Sequence, residues 1–327
     1  MISSDEIVGE AKKEARLTIY GTVETDEMEP WLRVFNQKYP FLKLSYQREY
    51  VYGSPPPMTK RIQGELGAGG ESADLVLSAI SPHLQMHHLG MFKPYLSPER
   101  KNIPQEYREQ EGYWTSILLL PTILAYNSKI VKKRYLPETI EELVDGVWSE
   151  SIALHDVTLG TFGAGWLSSL KVVFGEERWT RFVDGLASLR SRRFPLFRHI
   201  VESISSGESR IGLTVLLHEY LKARDKKRSI ERFSIDGIPL LTSATVISIL
   251  SSSRHQSSAK LFIDFILSRE GQQMIGNSYI RIPAGRDIDA RYSIEKLIPN
   301  EKIVIFPSRE ANKSLEEDTA YYRNRFL

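Results

Sequence analysis

The chemistry open to this chain is bounded first by what it lacks. Its 327 residues include no cysteine, which removes disulfides, thiolate metal sites, iron–sulfur clusters and cysteine nucleophiles. His83, His87 and His88 are three of only 7 histidines, and the four-residue step from His83 to His87 would let one helix offer two ring nitrogens to a metal ion. No carboxylate lies between them, so they read first as an exposed helix surface. Gly67-Ala68-Gly69-Gly70 is followed by Glu71-Ser72, not by the Lys-Ser/Thr of a phosphate loop, and reads as a helix-to-strand turn. Gly160-Thr161-Phe162-Gly163-Ala164-Gly165 has G-x-x-G-x-G spacing, which is not a dinucleotide fingerprint. These small residues either pack a helix closely on its sheet or leave the first N–H groups of that helix open to an anion or a polar oxygen. There is no G-x-S-x-G elbow, so a serine hydrolase is not supported.

The elements that would position such groups alternate. A helix over 4–14 precedes a strand at Leu17–Tyr20, and Met28, Trp31, Leu32, Val34 and Phe35 give the next segment helical spacing. A strand at Leu42–Tyr46, a helix at Thr59–Leu66 and a strand at Ala73–Ser78 follow, which predicts βαβ crossovers and a mostly parallel sheet. Ile117–Tyr126 is apolar apart from Thr122 and contains Pro121, so an edge or crossing segment is expected. A second unit then carries a strand at Ser151–His155, a helix from Gly160 to about Val173, helices over 176–190 and 198–206 joined by a short connection, a strand at Ser209–Thr214 and a helix over 217–226. The strand Thr245–Leu250 and one helix Ser258–Gly276 return to the first unit, and the charged tail from Ser308 reads as the least structured part.

A hydrophobic fraction of 41% and a charged fraction of 26% are those of a folded, water-soluble chain. Lys+Arg 43 against Asp+Glu 41 leaves +2, so no strong global field points to nucleic acid or acidic membranes. No stretch reaches the ~20 apolar residues of a membrane helix. The first residues carry Asp5 and Glu6 where a signal peptide would be basic, so no leader is read there.

The order of several short motifs resembles the ferric-iron type of family 1 extracellular solute-binding proteins, the type 2 periplasmic binding proteins of ABC importers. The motifs include Leu17-Thr18-Ile19-Tyr20-Gly21-Thr22, Ser72-Ala73-Asp74-Leu75-Val76, Gly90-Met91-Phe92-Lys93-Pro94-Tyr95 and Ala125-Tyr126-Asn127. The most specific is the block from Ala259 to Gln272, which closes on Ser268-Arg269-Glu270-Gly271-Gln272. The resemblance runs from about residue 8 to 285. It implies a two-lobed α/β fold, each lobe a mostly parallel sheet flanked by helices, with a ligand cleft between the lobes. Residues 1–122 with 237–290 would form lobe 1, and 123–236 with 291–327 lobe 2.

The same resemblance implies a monomer that captures a small polar, anionic or phosphorylated solute outside the cytoplasm. It would deliver that solute to an ABC permease without cofactor, nucleic acid or catalysis. The site it implies comprises Tyr20, Thr22 and Glu24, then Ser78, Ala79 and Ile80, on one lobe. Asp156, Thr158, Gly160, Thr161, Phe162, Thr214 and His218 would line the other. Arg192, Arg193 and Arg198 are further candidates for holding an anion, and Tyr52 and Trp114 for stacking on a ring. In iron binders of this type a His, a Glu and a Tyr pair hold Fe(III), and the matching positions here are Glu24, Ala79, Leu217 and His218. That set lacks both phenolates, with Tyr220 the nearest substitute, so Fe(III) or another metal is the alternative ligand. An enzyme on the same scaffold is a further alternative, but the thiamin-cleaving relatives use a cysteine absent here. The sensing half of a regulator would need a DNA-binding segment for which the two lobes leave no room.

Overall fold

Apolar strands alternating with amphipathic helices set the order of the elements. The structure, a computed structural model, describes residues 4–49, 57–159, 162–278, 280–299, 301, 303–306 and 309–327. α1 (Ser4–Glu14) leads into β1 (Arg16–Gly21), whose last five residues are buried. α2 (Thr25–Lys38) buries Met28, Trp31 and Phe35 along one face. β2 (Lys43–Arg48), α3 (Pro57–Gly67), β3 (Leu75–Ala79), α4 (Ile80–His88) and β4 (Phe92–Lys93) continue the alternation. β5 (Thr115–Tyr126) is buried at all 12 positions, so it is an interior strand and not an exposed edge. Pro121 falls between the stretch paired with a later strand at Leu118–Leu119 and the stretch paired from Thr122 onward.

Next come the single turn α5 (Ile140–Leu143), β6 (Ile152–His155), α6 (Phe162–Phe174), α7 (Glu176–Ser188) and β7 (Arg192–Phe194). α8 (Phe197–Ser206), β8 (Ile211–Leu216), α9 (Leu217–Asp225), β9 (Glu231–Phe233) and the fully buried β10 (Leu240–Leu250) follow. The chain ends with α10 (Gln256–Leu267), α11 (Arg269–Ser278), β11 (Ile282–Pro283), α12 (Ile294–Leu297), β12 (Ile303–Ile305) and α13 (Arg309–Phe326).

Two compact units result: Met1–Leu119 with Ala244–Pro299, and Leu120–Ser243 with Asn300–Leu327. The divisions fall inside β5, between Leu119 and Leu120, and inside β10, between Ser243 and Ala244. In the first unit β2, β1 and β3 run parallel, and Thr245–Ile249 of β10 lies antiparallel on β3. In the second, β7, β6 and β8 are parallel, and Thr122–Tyr126 of β5 lies antiparallel on β8.

Three expectations need correction. The connection between α7 and α8 contains β7, in which Arg192, Arg193 and Phe194 pair with Ala153, Leu154 and His155. Two arginines in three residues obscured a strand that sits at the rim of its sheet. The segment expected as one helix over 258–276 breaks at Ser268, whose hydroxyl accepts the Gly271 N–H at 3.1 Å. A Cβ at Gly271 would lie 2.2 Å from the Phe265 carbonyl oxygen, so only glycine lets α11 turn back this closely on α10. The fully buried Gln272 then clips the turn, donating to the Ile266 carbonyl at 2.9 Å and accepting from the Gly285 N–H at 2.8 Å.

The charged tail is the third correction, since α13 is an 18-residue helix. Leu315, Thr319 and Tyr322 are buried on one face, a spacing that the surrounding Lys, Glu and Arg residues mask. The Tyr322 hydroxyl lies 3.0 Å from Ser168 of α6, and Lys171 of α6 reaches Asp318 at 3.2 Å. The Tyr321 hydroxyl donates to Asp184 of α7 at 2.7 Å. Tyr322→Ala removes a side chain with no exposed surface, and we expect it to destabilise the protein by ~3–5 kcal/mol. Urea unfolding measures this, and a change below ~1 kcal/mol would show that α13 is not part of the core.

Candidate functional site

Ligands of open α/β sheets collect at the carboxyl ends of parallel strands, where the chain turns into a helix whose first N–H groups lack intrahelical partners. In the first unit β1 ends at Gly21, and the Thr22 N–H donates to the Leu77 carbonyl of β3 at 3.0 Å, bringing the two strand ends side by side. A Cβ at Gly21 would sit 3.0 Å from the Tyr46 ring and 3.1 Å from Leu77, so this turn depends on a bare backbone. The Tyr46 hydroxyl fixes the turn by donating to the Val23 carbonyl at 2.5 Å, and burial raises its pKa above the usual tyrosine range. Glu24 begins α2 and pairs with Arg48 at 2.5 Å, so its charge is already matched within the unit.

β3 passes into α4 with no intervening loop. Ala79 is the residue before the helix, has no side-chain cap to offer, and no acidic residue occupies the first turn of α4. The turn therefore presents uncapped N–H groups at its Ile80 end. Ser78 is buried and held from behind, with its hydroxyl 2.9 Å from His83 Nδ1. His83 Nε2 lies 2.5 Å from the Ser248 hydroxyl, which donates to the Tyr113 carbonyl at 2.5 Å. Because Ser248 spends its proton on that carbonyl, it accepts from Nε2–H, which leaves Nδ1 to accept from Ser78. The Ser78 hydroxyl is thus oriented as a donor to His83. His83 itself is fully buried and stacks on Phe92 at 4.2 Å, not exposed on a helix surface as its sequence neighbours suggest. Burial, with a smaller contribution from His87, lowers its pKa to about 3.

Tyr20 does not join this group. It is buried, donates to Glu65 at 2.9 Å, and lies under the Arg61 guanidinium at 4.4 Å from the ring. Trp114 packs edge-on near His83 and His87, at 6.3 and 5.2 Å between rings. Tyr52 lies outside the described residues.

In the second unit β6 ends at His155, and Asp156 shapes the turn that follows. Its Oδ1 accepts from both the N–H and the hydroxyl of Thr158, at 2.9 and 2.7 Å. The Arg323 guanidinium of α13 donates to the Thr158 carbonyl at 3.0 Å, so the C-terminal helix braces the approach to α6. Gly160 and Thr161 lie outside the described residues, and Phe162 opens α6 against Phe197 and Phe306 at 4.8 and 4.9 Å. A Cβ at Gly163 would meet the His155 carbonyl oxygen at 2.8 Å and its ring Nδ1 at 3.0 Å, so this glycine serves close packing of α6 on β6.

The Thr214 hydroxyl accepts from the His155 N–H at 2.5 Å and ties β8 to β6. β8 passes directly into α9 through Leu216, again without a side-chain cap. His218 is buried in its first turn with Nε2 at 3.3 Å from Glu219. Burial alone would raise the Glu219 pKa, but hydrogen bonds and charge from His218 and Lys222 outweigh it and hold the carboxyl well below its usual range. Arg192 is paired with Glu208 at 2.6 Å, Arg193 stands 4.0 Å from Asp156, and Arg198 leans on His199. Tyr220 is buried on α9, which raises its pKa.

His155 is a residue that spacing arguments passed over. It is buried, stacks on Phe197 at 4.4 Å, and burial lowers its pKa to about 4 against the opposing charge of Asp156. Its position as the last residue of an apolar strand was the available signal. Among the described residues no group of three or more His, Cys, Asp or Glu side chains is arranged to hold a metal ion.

Comparison with known proteins agrees with this layout. The family described as bacterial extracellular solute-binding protein matches residues 70–311. An uncharacterized protein of Haemophilus influenzae is 24% identical over 284 residues, which is 82% of this chain and 77% of its own length. Iron-bound HitA from Pseudomonas aeruginosa superposes with a TM-score of 0.79 at 19% identity, covering 95% of this chain and 99% of that one. The periplasmic binding protein AfuA from Actinobacillus pleuropneumoniae, with fructose-6-phosphate bound, gives 0.77 at 20% identity over 95% and 98%.

The two neutral histidines predict an acid-side loss of stability. Above pH 6.5 His83 is uncharged in both folded and unfolded chains. Between 6.5 and about 3 only the unfolded chain takes the proton, so stability falls as pH drops through that window. His155 acts likewise between 6.5 and about 4. Each contributes up to ~1.4 kcal/mol per pH unit. Urea unfolding at pH 7 and pH 5 should show this, with His83→Gln flattening the slope by about one proton; an unchanged slope would mean that His83 is protonated in the fold.

Proposed function

Because the chain belongs to the family of bacterial extracellular solute-binding proteins, we propose that it captures a small polar anion, of the organic phosphate or carboxylate class, for delivery to an ABC permease. The observation that carries this reading is the pair of strand-to-helix passages at Ala79–Ile80 and Leu216–Leu217, each ending without a side-chain cap. N–H groups in that setting, at the positive end of a helix dipole, are matched by an anionic oxygen. Polar groups at the strand ends of each unit suit such a ligand: Thr22 beside Leu77 in the first, and the turn of Asp156 and Thr158, with Arg193 4.0 Å from Asp156, in the second.

Iron is disfavoured by chemistry at the matched positions. Ala79 and Leu217 carry no ligating atom, and Glu24 is engaged by Arg48. Fe(III) needs several hard anionic oxygens, and these positions supply one carboxylate at most. The family binds solutes and releases them unchanged, and we extend that to this chain. The site sits in an extracytoplasmic protein by family, and no helix among the described residues is long and apolar enough to cross a membrane.

Native mass spectrometry and calorimetry with a hexose phosphate and with ferric citrate separate the two ligands. We expect a one-to-one organic phosphate complex recovered chemically intact. Tight uptake of iron with no affinity for any phosphate monoester or carboxylate would overturn the assignment. Ala79→Asp adds an internal cap to α4, so it should raise the stability of the free protein by ~0.5–2 kcal/mol. The same substitution should weaken anion binding by ~10-fold or more. Unchanged affinity in that variant would remove α4 from the site.

A further inference from the structure

The second unit carries a face that solute capture does not use. The segment Asn127-Ser128-Lys129-Ile130-Val131-Lys132-Lys133-Arg134-Tyr135-Leu136 holds four cations and no acid, in a chain whose total balance is only +2. Lys129, Lys132 and Lys133 form no ion pair with any described residue, and Arg134 contacts only its neighbour, reaching the Tyr135 hydroxyl at 2.9 Å. Most other arginines of this unit are matched, as Arg178 is with Glu141, Arg192 with Glu208 and Arg232 with Glu301. The near-neutral composition therefore hides a local concentration of unmatched positive charge.

Large apolar side chains stand among these cations. Ile130, Tyr135 and Val147 are 51%, 62% and 63% exposed, and all three border one open recess of about 640 Å³. Trp148 and Leu136 form part of its wall, and Lys132 and Arg210 lie at the same recess. Single exposed apolar residues are ordinary, but three border this one recess together with the cations Lys132 and Arg210, and Lys129, Lys133 and Arg134 adjoin Lys132 in sequence. Glu142 and Asp145 are the acids of the recess, and the Glu142 carboxylate already accepts the Glu138 N–H at 2.8 Å.

We propose that this face docks on the surface of an anionic phospholipid bilayer. Cations interleaved with exposed aliphatic and aromatic side chains match the two layers of such a surface. Lys129, Lys132, Lys133, Arg134 and Arg210 meet the phosphates, while Ile130, Tyr135 and Val147 enter the boundary of the acyl region. Charge complementarity decides between a bilayer and a folded protein partner. A protein interface would match these cations with discrete carboxylates at fixed positions, whereas flexible lysines without fixed partners suit a fluid field of headgroups. Docking by this face would keep the protein near the membrane independently of which solute it carries.

Co-sedimentation with vesicles of phosphatidylcholine, with and without phosphatidylglycerol, tests the proposal on the full chain. Wild-type protein should sediment with the anionic vesicles and not the neutral ones, and high salt should release it. The double variant Lys132→Glu/Lys133→Glu should bind at least ~10-fold more weakly. Ile130→Asp/Val147→Asp should also weaken binding, and this loss should persist in low salt, where charge attraction is strongest. All of these positions are exposed, and circular dichroism melts verify that each variant is folded. Equal sedimentation with neutral and anionic vesicles, or anionic binding unaffected by either double variant, would overturn the proposal. So would an absence of vesicle binding alongside salt-sensitive binding to the detergent-solubilised permease, which would assign the face to a protein partner.

Discussion

A helix that starts where a parallel strand ends has N–H groups pointing at whatever lies beyond the sheet, and its own backbone cannot satisfy them. In this protein the residues preceding α4 and α9 are Ala79 and Leu216, neither of which has a side-chain oxygen. Elsewhere the chain supplies such groups: Thr139 caps α5, Ser293 caps α12, and the Glu14 carboxylate accepts from the N–H groups of Ser257 and Ser258 at the start of α10. α7 and α8 also start without a side-chain cap, at Gly175 and Leu196, so what marks α4 and α9 is an uncapped start directly at the end of a parallel strand. In the function proposed for this chain, a polar, anionic solute completes what the fold leaves open.

Around those donors the protein builds stiffness from neutral polar groups. Ser78, His83, Ser248 and the Tyr113 carbonyl form one hydrogen-bonded line through the first unit, and the His155 N–H is held by Thr214 in the second. Keeping both imidazoles uncharged avoids burying a cation, and in the first unit the His83 ring also fixes the direction of the Ser78 hydroxyl. In the second unit the brace comes from far along the chain. α13 reaches back to Thr158 through Arg323 and to α6 through Tyr322, so the last helix sets the turn that precedes α6.

Much of this was legible in the sequence, and the misses have physical causes. The βαβ alternation, the strand at β6 and the helices around it follow from periodicity, because burial of one face leaves a repeat of apolar residues. The block ending in Glu270-Gly271-Gln272 signalled its importance without its reason, which is the close approach that only Gly271 permits and the buried clip that Gln272 makes. The tail misled because its buried stripe of Leu315, Thr319 and Tyr322 is narrow and surrounded by charge. His83 misled because its partners, Ser78 and Ser248, are 5 and 165 residues away, a pairing that sequence spacing cannot reveal. Tyr20, which the family resemblance places at the site, has its hydroxyl committed to Glu65 on α3, a partner 45 residues away that spacing does not show.

The central claim is that uncapped strand-end N–H groups hold the solute, and amide chemical shifts read those groups one by one. In a proton–nitrogen correlation titration of the intact chain with a phosphate monoester, the amides of Ile80 and Ser81 in one unit, or those of Leu217 and His218 in the other, should shift and saturate. Saturable binding of that anion with those four amides unmoved would contradict the account.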